Sequence, residues 1–338
     1  MQIETDYSLR THNSFGFDVT ARFWAQAQST DDICEALQYA KAQRVPLMVL
    51  GEGSNLVFTA AYPGLVLNIA IRGKQIVRED SQHIWVRVGA GENWHDFVQW
   101  SLVHQYFGLE NLILIPGSVG AAPIQNIGAY GVEVKSCFDQ LEAVERDTGV
   151  LVVFDKESCE FDYRNSVFKS KLQDRYIISQ VTFRLNKTPD LVTGYGDVEA
   201  ELKSQGLADY EAINVAEAVS RIRRRKLPDP RVIGNAGSFF KNPIISRERF
   251  EQLKSSFPKL VGYEDCGSVK VAAGWMVDYC GWKGKREGDA GVHDQQALVL
   301  VNYGCANGAQ VLDLAAKIQD SVKQTFGIDL EFEPQIYP

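Results

Sequence analysis

The stretch that decides how this chain folds and what it binds lies at positions 115–131 and reads Ile115-Pro-Gly-Ser-Val-Gly-Ala-Ala-Pro-Ile-Gln-Asn-Ile-Gly-Ala-Tyr-Gly131. Four glycines and two prolines within 17 residues disfavour one continuous helix or strand. Apolar side chains interleave with the glycines, so we expect a loop that is buried rather than solvated. Small residues let the backbone approach a ligand closely, and consecutive N–H groups in such turns form a nest for an anion such as a pyrophosphate.

A second, shorter glycine loop, Gly51-Glu-Gly-Ser-Asn55, directly follows the apolar segment Val45–Leu50, which is typical of a buried strand. Neither this loop nor Gly89-Ala-Gly91 matches the G-x-G-x-x-G pattern of nicotinamide-type dinucleotide sites. The third glycine position is occupied by Leu56 in one case and by Trp94 in the other. A dinucleotide bound here would therefore be held in another way.

The composition is that of a globular protein of two or three domains. The chain has 338 residues, 45% apolar and 23% charged, at about 150 residues per domain. Its net charge of −8 disfavours nucleic acid as the main partner. The first residues resemble no secretory signal, and no apolar run reaches the roughly 18 residues of a transmembrane helix.

Cysteine and histidine usage indicates neither disulfides nor a metal centre. The six cysteines form no CxxC pair, and without an export signal we interpret them as reduced thiols in a cytoplasm. The five histidines are scattered, which predicts that the chain binds no metal.

Apolar periodicity predicts alternating strands and helices around the two loops. Strands are predicted at 23–27, 45–50, 65–70, 84–88, 141–145, 150–154 and 176–185. Helices are predicted after the cap Ser29–Asp32, from the cap Asn93 to Gly108, from the cap Asn214 to about Lys226, and over 311–326 before Gly327. We expect a domain boundary near Pro228 and Pro230.

Both glycine loops are similar to the flavin-binding loops of the UDP-N-acetylenolpyruvoylglucosamine reductase family. Five further motifs of that family follow in the same order, and chance agreement of all seven is negligible. They are Tyr163-Arg-Asn-Ser-Val-Phe168, Lys226-Leu-Pro-Asp-Pro230, Gly234-Asn-Ala-Gly-Ser-Phe-Phe-Lys-Asn-Pro243, Ala272-Ala-Gly-Trp275 and His293-Asp-Gln-Gln-Ala-Leu-Val299.

The resemblance implies an α+β fold in several parts. An FAD-binding domain of the vanillyl-alcohol oxidase (PCMH) type would cover 17–187, followed by a lid loop and connector over 188–219. A C-terminal α+β substrate-binding domain would cover 220–305. The C-terminal helix and tail, 306–338, would pack with the N-terminal region.

The implied activity is NADPH-dependent reduction of UDP-N-acetylglucosamine enolpyruvate to UDP-N-acetylmuramate, in peptidoglycan precursor synthesis, by a cytoplasmic monomer. Some relatives in the wider superfamily attach the flavin through a histidine or cysteine in the first loop. Residues 51–55 contain neither, so we expect non-covalent FAD. The implied FAD contacts are Gly51, Gly53, Ser54, Asn55, Pro116, Gly117, Ser118, Gly120, Ala121, Ala122, Gln125, Asn126, Ile127 and Gly128.

Three catalytic residues follow from the resemblance and from the chemistry. Hydride addition to the enolpyruvyl group creates an enolate-like anion beside a carboxylate, which requires a cation and a proton donor. Arg164 suits the carboxylate, Ser238 matches the family's proton donor to C2, and Glu333 matches its polarising acid. The family's Leu-x-Pro-Glu motif is here Leu330-Glu-Phe-Glu-Pro334, which leaves Glu331 as an alternative acid.

The substrate diphosphate needs cations, and residues 221–226 are the densest basic run of the chain. Arg223 and Lys226 share one face at helical spacing. Tyr195, between two glycines, resembles the lid tyrosine of the family's longer class. Further implied substrate contacts are Tyr163, Asn242, Tyr263 and Gln296.

Two other functions stay open at this point. A flavin oxidase of the same superfamily would consume oxygen and need no NADPH, but the missing covalent anchor weighs against it. A catalytically inactive UDP-sugar-binding protein would not need Arg164, Ser238 and Glu333 together.

Overall fold

The structure is a computed structural model that describes residues 1–206, 209–265 and 267–338, so Cys266 lies outside the described residues. Its helices are α1 (Thr30–Gln43), α2 (Trp94–Val103), α3 (Val198–Lys203), α4 (Ala212–Lys226), α5 (Arg247–Ser256), α6 (Ala273–Tyr279) and α7 (Gly308–Phe326). The strands of the first half are β1 (Ile3–Ser8), β2 (Thr20–Ala27), β3 (Leu47–Leu50), β4 (Leu56–Phe58), β5 (Tyr62–Ile69), β6 (Lys74–Glu79), β7 (His83–Gly89), β8 (Gly128–Ala129), β9 (Val132–Glu133), β10 (Phe138–Glu145) and β11 (Leu151–Asp155). Those of the second half are β12 (Tyr176–Asn186), β13 (Gly234–Ser238), β14 (Ile244–Ser246), β15 (Gly262–Asp265), β16 (Ser268–Val271), β17 (Arg286–Glu287), β18 (Ala290–Val292), β19 (Val299–Asn302) and β20 (Gln335–Tyr337).

The chain divides into two compact units. The first comprises Met1–Tyr7, Ala21–Glu52 and Pro63–Arg223, and the second comprises Ser8–Thr20, Gly53–Tyr62 and Arg224–Pro338. Helices and strands occur in both, which agrees with the predicted α+β class. The finer boundaries of the sequence analysis stay predictions.

The first unit is built on two larger sheets and also contains the two-stranded sheet β8-β9. The larger is antiparallel in the order β11-β10-β12-β7-β6, and the smaller has the order β1-β2-β5-β3 with β3 and β5 parallel. Trp94 and Phe97 of α2 are fully buried against Phe183 of β12. The long glycine loop contributes Val119 and Ala122 to the same core, so the predicted burial of that loop is confirmed.

The second unit contains sheets of the order β13-β19-β18-β17 and β14-β16-β15 and the parallel pair β20-β4. One face of α7 is buried in its core through Val311, Leu314, Ile318, Val322 and Phe326. Phe15, Phe17 and Val57 join this core from the first sixty residues of the chain. Distant segments of sequence therefore share one core.

Most predicted helix ends are confirmed by their caps. Ser29 and Asp32 form a reciprocal capping box at the start of α1. The Asn93 side chain accepts the Asp96 N–H at the start of α2, and Gly327 ends α7 with φ of 65°. None of the helices in the part of the chain that the structure describes is both long enough and apolar enough to span a bilayer.

Two predicted helix ends are wrong. Helix α2 ends at Val103 rather than at Gly108, because Gln105 takes a left-handed φ of 60° and Phe107 then pairs with Asn186. Helix α4 begins at Ala212, so Asn214 lies inside it and is not its cap. The Asn214 side chain instead reaches back to accept the Glu211 N–H at 2.8 Å, the task usually done by a glutamate at the third helical position.

Candidate functional site

In the first unit, the start of the short glycine loop lies directly against the long one. A Cβ atom on Gly51 would be 2.7 Å from the Ser118 hydroxyl oxygen. A Cβ atom on Gly120 would be 2.5 Å from the Ala90 Cβ, and the Gly120 N–H donates to the Ala90 carbonyl at 2.8 Å. A side chain at Gly120 would push the loop away from Ala90, so glycine is required there, whereas at Gly51 the Ser118 hydroxyl would have to move.

In the second unit, the rest of the short loop is fixed by other segments. Gly53 has φ of 67°, and a Cβ there would be 2.0 Å from the His12 carbonyl oxygen. The Ser14 N–H donates to the Gly53 carbonyl at 3.0 Å, and the Gln335 N–H donates to the Asn55 carbonyl at 3.0 Å. The conformation of this loop therefore depends on residues near both ends of the chain.

The long loop uses its own backbone N–H groups differently from the prediction. The Gly117 N–H donates to the Glu52 carboxylate, and the other bonded N–H groups donate to carbonyls of segment 89–94 or of the loop itself. These others belong to Val119, Gly120, Ala121, Ala122, Ile124, Asn126 and Ile127. Five of these seven amides close short turns within the loop, and those of Val119 and Gly120 bond to segment 89–94, so all seven are already engaged inside the protein and do not form the predicted anion nest in this conformation.

The Gly117 amide belongs to a small anion-binding arrangement in the first unit. Glu52 accepts the Gly117 N–H at 3.0 Å and the Asn93 side-chain amide at 2.5 Å, beside the N-terminus of α2. Donors at a helix N-terminus hold phosphate oxygens in the same manner. Because the Glu52 carboxylate occupies these two donors, the fit to a flavin dinucleotide rests on the close approach of the glycine backbone.

The remaining predicted flavin residues differ in their surroundings. Asn126 is fully buried, and its side-chain amide donates to the Glu133 carboxylate at 3.0 Å and to the Asp162 carbonyl at 3.1 Å. Gln125 accepts from the Lys169 ammonium at 3.2 Å. Ser118, Ala122 and Ile127 are buried, Ser54 is half-buried, and Pro116 and Ala121 are exposed.

Arg164 lies on a tight turn next to the end of the long loop. Its φ of 52° is unusual for a residue with a side chain, and such strain is common at functional positions. Its guanidinium donates to the Gly128 carbonyl at 2.6 Å and lies 5.5 Å from the centre of the Tyr163 ring. The predicted carboxylate-binding arginine is thus held beside predicted flavin residues.

Arg223 lies close enough to Arg164 for the two positive charges to interact. Burial lowers the pKa of Arg223, Tyr130 opposes that shift, and Arg164 adds to it. Its Nε is buried without a hydrogen-bond partner among the described residues. Two neighbouring guanidinium groups with an unused donor favour an anionic ligand. Tyr130 was not singled out from the sequence, although it lies in the decisive stretch.

Tyr195, the predicted lid residue, is half-exposed and lies beside the long loop. A Cβ atom on Gly131 would be 3.2 Å from both the Tyr195 Cβ and the Val192 side chain. The Asn111 side-chain amide joins the two segments by donating to the Tyr130 and Val192 carbonyls, at 2.9 and 2.8 Å.

In the second unit, Ser238 lies next to the C-terminal acidic motif. The Glu333 N–H donates to the Phe239 carbonyl at 3.0 Å, and Phe332 packs on the rings of Phe239 and Phe240. This packing gives a physical reason for phenylalanine where the family has proline. The Glu331 carboxylate is exposed and pairs with the Lys241 ammonium at 3.0 Å.

Asn242 and Gln296 approach the first turn of α6. The Asn242 side chain accepts the Ala273 N–H at 3.0 Å, and the Gln296 Oε1 would be 3.7 Å from a Cβ on Gly274. Tyr263 is half-exposed on β15, and Lys226 is exposed at the end of α4. Among the residues that the structure describes, no group of three His, Cys, Asp or Glu could hold a metal ion.

The structure thus brings several predicted residues together within each unit. In the first unit, Arg164 neighbours both Tyr163 and Arg223. Ser238 neighbours Glu333 in the second, and Asn242 neighbours Gln296. Sequence reasoning missed Glu52, although an acidic residue between the glycines of an anion-binding loop was a usable signal.

Comparison with known proteins agrees with this geometry. Residues 229–337 match the family described as UDP-N-acetylenolpyruvoylglucosamine reductase, C-terminal domain, and residues 21–155 match an FAD binding domain family. The chain is 50% identical to the UDP-N-acetylenolpyruvoylglucosamine reductase of Pseudomonas fluorescens, over 100% of this chain and 99% of the other. It is 50% identical to that of Paraburkholderia phymatum, over 97% and 96% of the two chains. The crystal structure of the reductase (MurB) from Thermus caldophilus covers all of both chains at 24% identity, with a TM-score of 0.70.

Proposed function

Because this chain belongs to the UDP-N-acetylenolpyruvoylglucosamine reductase family, we propose that it reduces the enolpyruvyl group of UDP-N-acetylglucosamine enolpyruvate to give UDP-N-acetylmuramate. This reaction supplies a precursor of peptidoglycan. The observation that carries the proposal is the sequence identity with these reductases over the whole chain, which includes the flavin loops and the turn that contains Ser238. The alternative oxidase is not favoured, because the full-length relatives are reductases.

FAD and NADPH are the cofactors of this activity. When bound, FAD supplies the hydride chemistry and draws its reducing equivalents from NADPH. The residues proposed to hold the flavin are the two glycine loops, where Gly51 and Gly120 give close backbone approach. With no histidine or cysteine in residues 51–55, the flavin is bound non-covalently. Acid precipitation should therefore release the yellow colour into the supernatant, and colour retained on the protein would contradict this proposal.

Arg164 is proposed to bind the carboxylate of the enolpyruvyl group. A guanidinium group can hold a carboxylate by two parallel hydrogen bonds and stays charged throughout the reaction. The charge of Arg164 and its neighbour Arg223 would stabilise the enolate-like anion that forms beside that carboxylate. The buried, unused Nε of Arg223 supports this role.

Ser238 is proposed to deliver the proton to C2, and Glu333 to polarise the developing enolate. The Glu333 N–H donates to the carbonyl of Phe239, the residue that follows Ser238. This contact supports the proposal that Ser238 and Glu333 act on the same substrate group. The pairing of Glu331 with Lys241 favours Glu333 over Glu331 as the acid. A serine hydroxyl is a weak acid, so a neighbouring acid also suits the need for a proton relay.

The UDP-sugar is proposed to contact Tyr163, Tyr195, Arg223, Lys226, Asn242, Tyr263 and Gln296. Lys226 would contribute charge toward the diphosphate, and the half-exposed Tyr195 would close over it as a lid. The chain is further proposed to act as a monomer in the cytoplasm.

The visible spectrum tests the reductase proposal directly. NADPH should bleach the flavin absorption of the purified protein, and the enolpyruvyl substrate should restore it under anaerobic conditions. Absence of bleaching would contradict the proposal. Bleaching without anaerobic restoration would contradict the assigned substrate, whereas oxygen consumption that needs no NADPH would indicate the alternative oxidase.

The Ser238→Ala variant tests the proton donor. We expect flavin reduction by NADPH to stay unchanged and flavin reoxidation by the enolpyruvyl substrate to stop. Equal loss of both half-reactions would contradict the assigned role.

A further inference from the structure

We propose that Asn235 is a positioning residue that holds Ser238 in the orientation needed to donate its proton. The inference rests on the proposed function, because it takes Ser238 as the proton donor. Asn235 is 4% exposed, and its side chain bonds only to backbone groups among the contacts that the structure describes. It therefore acts on Ser238 through the backbone.

The strand that carries Ser238 contains an extra residue. Asn235 of β13 pairs with Val301 of β19, and Ser238 pairs with Val299 after a register shift. Three steps along β13 thus correspond to two along β19, which is the pattern of a β-bulge. Because side chains alternate between the faces of a strand, one extra residue reverses the face on which Ser238 lies.

The Asn235 side chain closes this bulge. Its Oδ1 accepts the N–H of Gly237 at 2.9 Å, and Gly237 has a left-handed φ of 70°. An asparagine side chain that bonds the backbone two residues ahead is a recognised turn-stabilising arrangement. The carboxamide thus fixes the residue that immediately precedes Ser238.

The same carboxamide anchors the bulge to the preceding segment. The Asn235 Nδ2 donates to the Ile233 carbonyl at 2.8 Å and to the Pro228 carbonyl at 3.3 Å. The downstream flank is fixed separately, since the Phe239 N–H donates to the Leu298 carbonyl at 2.8 Å. Loss of the Asn235 side chain would therefore free Ser238 on its upstream side while the sheet beyond it stays paired.

The test compares Asn235→Ala with a matched control, Asn302→Ala. Asn302 lies in the same sheet, is 7% exposed, donates to the Phe15 carbonyl at 3.0 Å and accepts N–H groups from Gly304 and Ala306. Both variants remove a buried carboxamide with a similar set of bonds. Only Asn235 bonds within the bulge that precedes Ser238.

Anaerobic stopped-flow of the flavin holoenzyme measures the two half-reactions separately. For Asn235→Ala we expect reoxidation by the enolpyruvyl substrate to slow at least tenfold, with reduction by NADPH within twofold of the parent. The solvent deuterium isotope effect on reoxidation should rise as proton delivery becomes rate-limiting. Asn302→Ala should lower the Tm similarly but leave both half-reactions within twofold.

A second variant keeps the test decisive if alanine prevents folding. Asn235→Ser retains a side-chain oxygen that can accept the Gly237 N–H, so it should restore part of the reoxidation rate. Normal reoxidation in the Asn235 variants, equal slowing of both half-reactions, or the same slowing in Asn302→Ala would overturn the inference. The Ser238→Ala variant, measured in parallel, separates the proton-donor role of Ser238 from the positioning role of Asn235. If Ser238→Ala reoxidises normally, the proton-donor role fails and the positioning role fails with it.

Discussion

The replacement Gly120→Ala tests whether close backbone contact shapes the flavin site. The added methyl would lie 2.5 Å from the Ala90 Cβ and 3.1 Å from the Ala90 carbonyl oxygen. Carbon atoms in optimal contact are about 3.5–4.0 Å apart, so the loop would have to move by about 1 Å. The same movement would stretch the 2.8 Å hydrogen bond from the Gly120 N–H to the Ala90 carbonyl.

The expected cost follows from this displacement. Inserting a methyl group into a well-packed site costs about 1–3 kcal/mol. If the flavin-free loop relaxes and flavin binding must restore the parent conformation, that cost appears in the FAD affinity. At about 1.4 kcal/mol per tenfold change, the Kd for FAD should rise by about 5- to 150-fold.

Fluorescence titration of the flavin-free protein with FAD measures this Kd, and circular dichroism confirms that the variant folds. The matched control is Gly194→Ala, because no atom lies within 4 Å of a Cβ at Gly194 and its φ is not left-handed. The control should bind FAD as the parent does. A Kd for Gly120→Ala within twofold of the parent would refute the argument from close contact.

Three further outcomes are expected. Glu333→Gln should lose turnover while retaining its flavin absorption, whereas Glu331→Gln should keep both; the reverse would exchange their roles. Burial opposes the charge of Glu92, but the Lys74 ammonium and neighbouring groups hold its pKa below the ordinary value. Its stabilisation is therefore complete above the unfolded-state pKa and is lost as the pH falls through the folded pKa. Glu92→Gln should accordingly flatten the acid side of a plot of Tm against pH, and an unchanged slope would contradict this. Burial raises the pKa of the Cys159 thiol to about 12, so a thiol reagent at pH 8 should label the exposed Cys305 before Cys159, as mass spectrometry of peptides would show.

The sequence predicts local structure well where local chemistry specifies it. The capping box of Ser29 and Asp32 and the terminal Gly327 depend on neighbours within a few residues, and both are confirmed. The end of α2 is different. It depends on the pairing of Phe107 with Asn186, almost eighty residues away, which helical periodicity cannot reveal.

The candidate site shows the same contrast between features that nearby residues specify and features that depend on distant contacts. Seven motifs place the candidate residues along the chain, because the residue types themselves carry the resemblance. The partners of those residues are not readable in this way. Glu52 bonds to Gly117 and Asn93, and Asn235 bonds across a bulge whose existence depends on the register with β19. Side chains that act on the backbone of distant segments need the folded structure to be recognised.

The parallel pairing of β4 with β20 has a consequence for synthesis on the ribosome. Leu56–Phe58 is translated about 280 residues before its partner Gln335–Tyr337. Until then, β4 presents unpaired N–H and carbonyl groups, which can pair with other extended chains. At about 5–20 residues per second, this interval lasts roughly 15–60 seconds. The nascent protein is therefore open to misassociation at β4 throughout this interval, and we expect chaperones to protect it until β20 has been made.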